Sequence, residues 1–156
     1  MVNVLEAYCD GGCRGNQYKE NVGGWGAVLK YKEHTKEVKG GKKNTTNNEM
    51  EITACIEALK LIKLNFRGEV HLYTDSNYVY KCMTDGWYKK WQKNNWRTSS
   101  KKPVENKDLW VNLIDLVEKI NPIFHKVEGH SGVELNEKAD ALANLAMDEL
   151  EKNNKN

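Results

Sequence analysis

Two short runs constrain this chain more than anything else in it. Leu5-Glu6-Ala7-Tyr8-Cys9-Asp10 and Val70-His71-Leu72-Tyr73-Thr74-Asp75 alternate as half-buried strands do, and each closes on an aspartate. Between them Ile52, Cys55, Ile56, Leu59 and Ile62 recur at the i, i+3, i+4, i+7 spacing of an amphipathic helix. A strand reached through a helical crossover runs parallel to its neighbour in the sheet. The strand that follows this helix is therefore expected to run parallel to its neighbour in the sheet, and both alternating runs close on a carboxylate.

Around that unit the pattern is consistent. Strands are expected over 3–10, 24–31 and, as a lysine-rich edge, about 35–43, with short connections that favour an antiparallel meander. A Gly-containing turn is expected between the first two. Thr46, Asn47 and Asn48 supply N-cap chemistry for the first helix. A strand over 69–74, a short helix from near Ser76 to about Thr84, a helix over 106–120 stopped by Asn121-Pro122, and a strand from Ile123 to Val127 follow. The last helix is expected from about 133 to 150, burying Leu135, Ala139, Leu142, Ala146 and Leu150, with 151–156 a frayed tail. With 156 residues, no internal repeat and no linker, 1–156 reads as one domain.

Asp10, Glu51, Asp75 and Asp140 stand beside apolar positions instead of on polar faces. Each has an ordinary reading. Asp10 before Gly11-Gly12 suits a turn, Glu51 suits a capping box with Asn48, Asp75 suits a helix cap, and Asp140 suits a solvated surface. One metal site would account for all four, because clustered acids repel one another and lose hydration unless a cation sits among them. Oxygen-only ligands favour magnesium or manganese, and pairs of such ions serve phosphoryl chemistry. His130, in Gly129-His130-Ser131-Gly132, is placed for proton transfer near neutrality or is an ordinary loop histidine.

The net charge of +2 says little, but its distribution says more. Residues 86–102 carry Lys89, Lys90, Lys93, Arg97, Lys101 and Lys102 without an acid, interleaved with Trp87, Trp91 and Trp96. The segment reads as a protruding helical or looped insertion whose positive charge either meets phosphates or forms a solvated face, with the tryptophans packing it. Cys9, Cys13, Cys55 and Cys82 show no zinc spacing. No apolar run approaches the ~20 residues of a membrane span. With no signal peptide legible and the strand pattern starting at once, the expectation is a cytoplasmic monomer without a preceding module.

The motifs together resemble type 1 ribonuclease H, which cuts the RNA strand of RNA–DNA hybrids. Tyr8-Cys9-Asp10-Gly11-Gly12-Cys13 with Gly15-Asn16, Gly23-Gly24-Trp25-Gly26-Ala27 and Thr45-Thr46-Asn47-Asn48-Glu49-Met50-Glu51 carry the first half of the resemblance. Tyr73-Thr74-Asp75-Ser76-Asn77-Tyr78-Val79, Val127-Glu128-Gly129-His130-Ser131-Gly132 and Asn136-Glu137-Lys138-Ala139-Asp140 carry the second. The resemblance implies an α/β fold: a five-stranded mixed sheet, three antiparallel strands then two parallel, flanked by helices and bearing the basic protrusion. It implies that Asp10, Glu51, Asp75 and Asp140 hold two Mg2+ ions, with Mn2+ as a substitute, and that His130 assists proton transfer or product departure. Asn16, Thr46, Asn47, Asn48, Asn77 and Asn136 would touch the hybrid, as would Trp87, Lys89, Lys90, Trp91, Lys93 and Trp96. The products would be 5′-phosphate and 3′-hydroxyl ends.

Two departures from the family pattern stand out: a longer turn over 16–23, and Glu128, an acid beside His130. Two rivals remain at this stage. A DNA-directed resolvase or integrase on the same fold would cut a DNA duplex. A hybrid- or double-stranded-RNA-binding module would need no acids at all, since negative charge near phosphate weakens a pure binder.

Overall fold

The computed structural model describes residues 2–15, 20–128 and 133–154. Its elements run β1 (Val4–Arg14), β2 (Val22–Tyr31), β3 (His34–Lys43), α1 (Asn47–Lys60), β4 (Glu69–Thr74), α2 (Asn77–Thr84), α3 (Trp87–Lys93), α4 (Lys107–Ile120), β5 (Ile123–Lys126) and α5 (Glu134–Asn154). The five strands form one sheet in the order β3-β2-β1-β4-β5. β1, β2 and β3 are antiparallel neighbours, while β4 pairs with β1, and β5 with β4, in parallel. The mixed sheet expected from the sequence is therefore the sheet observed.

Alternation along β1 sorts the core into two layers. Leu5, Ala7 and Cys9 face α1, α2 and α4, joining Ile52, Cys55, Leu59, Leu72, Val79, Trp110 and Leu113 in one buried cluster. Tyr8 and Val28 face the other way, onto Ala139 and Leu142 of α5. Small residues let α5 lie close to the sheet. A Cβ at Gly26 would stand 2.5 Å from the Ala139 carbonyl oxygen and 2.7 Å from the Leu142 Cβ, so only glycine fits there.

Several bounds differ from expectation for identifiable reasons. The turn expected after Asp10 is strand: β1 continues to Arg14, with Gly11, Gly12, Cys13 and Arg14 opposite Trp25, Gly24, Gly23 and Val22. Glycine-rich segments read as turns in sequence, yet here they let helices press on a ladder that continues. α5 extends to Asn154 instead of ending near 150, and Arg14 helps to hold its last turns by bonding Asp148 and Glu151. α4 stops where Asn121 adopts the left-handed conformation (φ 56°) ahead of Pro122. Its core face is centred on Trp110, Leu113 and Ile114, with Leu109, Leu116, Val117 and Ile120 only partly buried around them. Among the described residues no helix is long and apolar enough to cross a membrane.

Candidate active site

Parallel pairing of β1 with β4 sets Cys9 opposite Thr74, so the next residues, Asp10 and Asp75, leave adjacent strand ends side by side. Glu51 arrives from the first turns of α1. The start of that helix is fixed to β1: the Cys13 N–H donates to Asn47 Oδ1 at 2.7 Å, and the Gly11 N–H donates to Glu51 Oε1. A Cβ on Gly11 would press into the Met50 carbonyl and lie 2.7 Å from the Glu51 nitrogen, so glycine is what allows this approach.

The ordinary readings of two acids fail here. Thr46 is the N-cap of α1, its hydroxyl accepting from the Glu49 N–H at 3.0 Å. Glu49 is in turn held by the Thr45 hydroxyl, which donates at 2.6 Å, and by Lys42. The capping acid is thus Glu49, not Glu51, because the cap sits two residues earlier than an Asn48–Glu51 box requires. Ser76 caps α2 by accepting from the Val79 N–H at 3.1 Å, which frees Asp75 from that task.

One oxygen each from Asp10, Glu51 and Asp75 lie within 4.8 Å of one another. Asp10 and Glu51 are only 7% and 8% exposed. Burial, with Asp140 bonded to it and Asp75 facing it, pushes the Asp10 carboxyl up to about 8. Burial, then the charges of Asp75 and Asp10, holds Glu51 well above the usual carboxylate range. Asp140 reaches Asp10 from α5 without joining the tight group of three. The acids open into a cleft of about 300 Å³ whose walls include Gly12, Cys13, Arg14, Asn47 and Asn144.

A divalent cation fits this arrangement. The donors are all hard oxygens, and they converge at the distances one ion spans. Their raised proton affinities measure a repulsion that a cation relieves. Among the described residues no soft or nitrogen donor enters the group, which suits a hard, magnesium-like ion.

The remaining expected residues fall into three sets. Thr46, Asn47 and Asn48 are exposed at the start of α1, and Asn77 is exposed at the start of α2, two residues from Asp75. Asn136, on the first turn of α5, is instead buried at 3% exposure, and among the described residues its Oδ1 has no partner. His130 and Asn16 lie outside the described residues, so the pairing of Glu128 with His130 does too.

The protrusion divides. Lys89, Lys90 and Lys93 are exposed, whereas Trp87, Trp91 and Trp96 are half-buried against the core. The Trp91 ring centre lies 5.8 Å from that of Trp110 and 6.2 Å from that of Trp96. Trp110, fully buried and donating to the Tyr78 hydroxyl at 3.2 Å, is the anchor beneath them. It is absent from the sequence expectations because its neighbours Leu109 and Leu113 already completed a helical stripe. Arg14, also absent from them, lines the cleft wall; its partners lie 130 or more residues away, which no local pattern exposes.

A mixed sheet of this order with carboxylates gathered where its central strands end defines a class: divalent-metal hydrolases on a ribonuclease H-like fold. The family model described as RNase H matches residues 3–148. A ribonuclease H of Clostridium botulinum is 49% identical over 143 residues, covering 92% of this chain and 95% of the relative. Among solved structures, LC9-RNase H1, described as a type 1 RNase H with the type 2 active-site motif, superposes with a TM-score of 0.82 at 31% identity. That match covers 94% of this chain and 73% of the other. LC11-RNase H1, solved in complex with an RNA/DNA hybrid, matches with a TM-score of 0.67 at 25% identity over 94% of this chain and 98% of its own. The chain belongs to the ribonuclease H family.

Proposed function

We propose that this chain is an endonuclease that hydrolyses the RNA strand of RNA–DNA hybrids, using Mg2+ held by Asp10, Glu51, Asp75 and Asp140. The observation that carries this reading is the convergence of three carboxylates within 4.8 Å, with the fourth, Asp140, lining the same cleft. A pair of divalent ions bound there would supply an activated water and stabilise the leaving oxygen.

The chain's own residues do the rest. Asp10, on the central strand beside Asp75, would hold a cation together with Glu51 and Asp140. Glu51 is oriented by the Gly11 N–H, so its carboxylate is preorganised before any cation arrives. His130 takes or returns a proton as the water oxygen bonds to phosphorus and the 3′-oxygen departs, leaving 5′-phosphate and 3′-hydroxyl ends.

RNA differs from DNA at the 2′-hydroxyl, which amide side chains read across the shallow minor groove. Asn47, Asn48 and Asn77 are exposed near the acids and suited to that reading, with Asn16 as a further contact, whereas the buried Asn136 is not. Thr46 and the exposed Lys89, Lys90 and Lys93 hold the DNA strand through its phosphates. Trp87, Trp91 and Trp96 contribute mainly by seating the protrusion. We take the protein as a cytoplasmic monomer whose single domain spans 1–156, with a site that needs no acid from a second copy.

Labelled RNA–DNA hybrid, RNA duplex and DNA duplex, each with Mg2+, with Mn2+ and with excess EDTA, test the assignment. Cleavage confined to the RNA of the hybrid and to the metal-containing samples is expected. Equal cutting of DNA duplex would instead favour a resolvase-like enzyme, and metal-dependent binding without cleavage would favour a binding module.

A further inference from the structure

Arg14 closes a connection that the metal-holding acids do not explain. It lies four residues beyond Asp10 on β1, and its guanidinium spans the gap to α5. Nη1 donates to Asp148 Oδ1 at 2.6 Å and to Glu151 Oε1 at 3.1 Å. Nη2 donates to Asn144 Oδ1 at 2.7 Å and to the Asn144 carbonyl at 3.3 Å. Asn144 returns the connection toward the site, its Nδ2 donating to the Asp140 carbonyl at 3.0 Å.

Asn144, Asp148 and Glu151 stand four, eight and eleven positions after Asp140. On a helix those offsets form one stripe, so Arg14 grips the very face of α5 that carries the fourth acid. The planar fork of a guanidinium fixes direction as well as charge, which a lysine ammonium does not. Arg14 also supplies positive charge to a face that otherwise presents Asp140, Asp148 and Glu151 together. Close packing of Ala139, Leu142 and Ala143 against Gly24 and Gly26 seats α5 on the sheet, and Arg14 adds a polar anchor on the edge of the helix that carries Asp140.

We propose that Arg14 is a positioning residue for metal binding: it sets the rotation of α5, and so aims the Asp140 carboxylate at Asp10. This rests on the reading of Asp140 as a metal-holding acid. The side-chain bonds of Arg14 all go to α5, so its action on the site runs through the helix. Its bonds are about one-third exposed, and surface pairs of this kind add little to stability.

The test compares Arg14→Gln and Arg14→Lys with Lys39→Gln, which removes another anchor of α5 (Lys39 to Glu149, 2.6 Å) on the side away from the cleft. Asp140→Asn is carried alongside. Mg2+ affinity is measured by calorimetry on the free protein, and kcat and KM on hybrid at saturating Mg2+. Arg14→Gln should weaken Mg2+ binding about 10-fold and lower kcat with KM unchanged, the scale set by groups that orient metal ligands. Arg14→Lys should recover part of the loss, and both should melt within about 4 °C of the parent. Lys39→Gln should leave Mg2+ affinity unchanged. Unaltered Mg2+ affinity in Arg14→Gln, or an equal loss in Lys39→Gln, would overturn the proposal. Unaltered affinity and kcat in Asp140→Asn would instead remove Asp140 from the site, a failure of the underlying assignment. If Arg14→Gln does not fold, Arg14→Lys decides on the same two readouts.

Discussion

Asp10 binds its proton far more tightly in the folded chain than a free aspartate does, with a pKa near 8 against an ordinary 3.8. A group raised in this way contributes stability that is fully present below about pH 3.8 and is lost as pH rises through 8. Metal-free protein should therefore become less stable between pH 4 and pH 8 relative to Asp10→Asn, whose side chain does not titrate. Melting both proteins in EDTA across that range checks it; parallel curves would show that Asp10 is not under strain. Glu51 offers a second test at this scale. Glu49, not Glu51, completes the cap of α1, so Glu51→Gln should abolish most turnover without lowering the melting temperature. A fall in stability with turnover intact would restore the capping role. The four acids were legible in the sequence because each broke the polarity pattern of its element. Arg14 was not, since its meaning lies in contacts with residues far along the chain.

Elements carry the acids, and close backbone contact carries the elements. The absence of a side chain at Gly26 is what lets α5 descend onto β2. Gly26→Ala should therefore cost about 1–3 kcal/mol by overpacking. It should also lower kcat by moving Asp140; urea unfolding and hybrid cleavage measure the two effects together. Gly11 and Gly12 explain why β1 was expected to end too soon: paired glycines after an aspartate signal a turn, whereas here the ladder with β2 continues through them. The order and kind of every strand and of the principal helices were legible from periodicity and caps. What periodicity missed was Trp110, which is buried in the core with its indole N–H donated to Tyr78 of α2 and Trp91 of α3 alongside it. In the protrusion, charge and aromatic content separate in role. Replacing Lys89, Lys90 and Lys93 with alanine should raise KM and leave kcat near the parent value. It should also reduce the slope of log K against log salt by up to about 2–3, as loss of three phosphate contacts would. An unchanged slope would make these lysines a solvated face.

At the scale of the molecule, three layers give one chemical edge. The parallel pair β1–β4 brings Asp10 and Asp75 together, α1 lowers Glu51 from one face, and α5 brings Asp140 from the other. Among the described residues each of these acids comes from a strand of the sheet or a helix packed on it, so folding itself gathers the site. Repulsion among these carboxylates is a cost that the fold keeps for the sake of binding cations. The measurement that tests this most directly is the initial rate of RNA-strand cleavage in a hybrid by Asp10→Asn, titrated with Mg2+ beside the parent chain. The account predicts cleavage at background at every Mg2+ concentration, with hybrid affinity equal to or tighter than that of the parent because one negative charge near phosphate is gone. A rate within tenfold of the parent, with an unchanged Mg2+ dependence, would contradict the claim that these acids hold the catalytic cation.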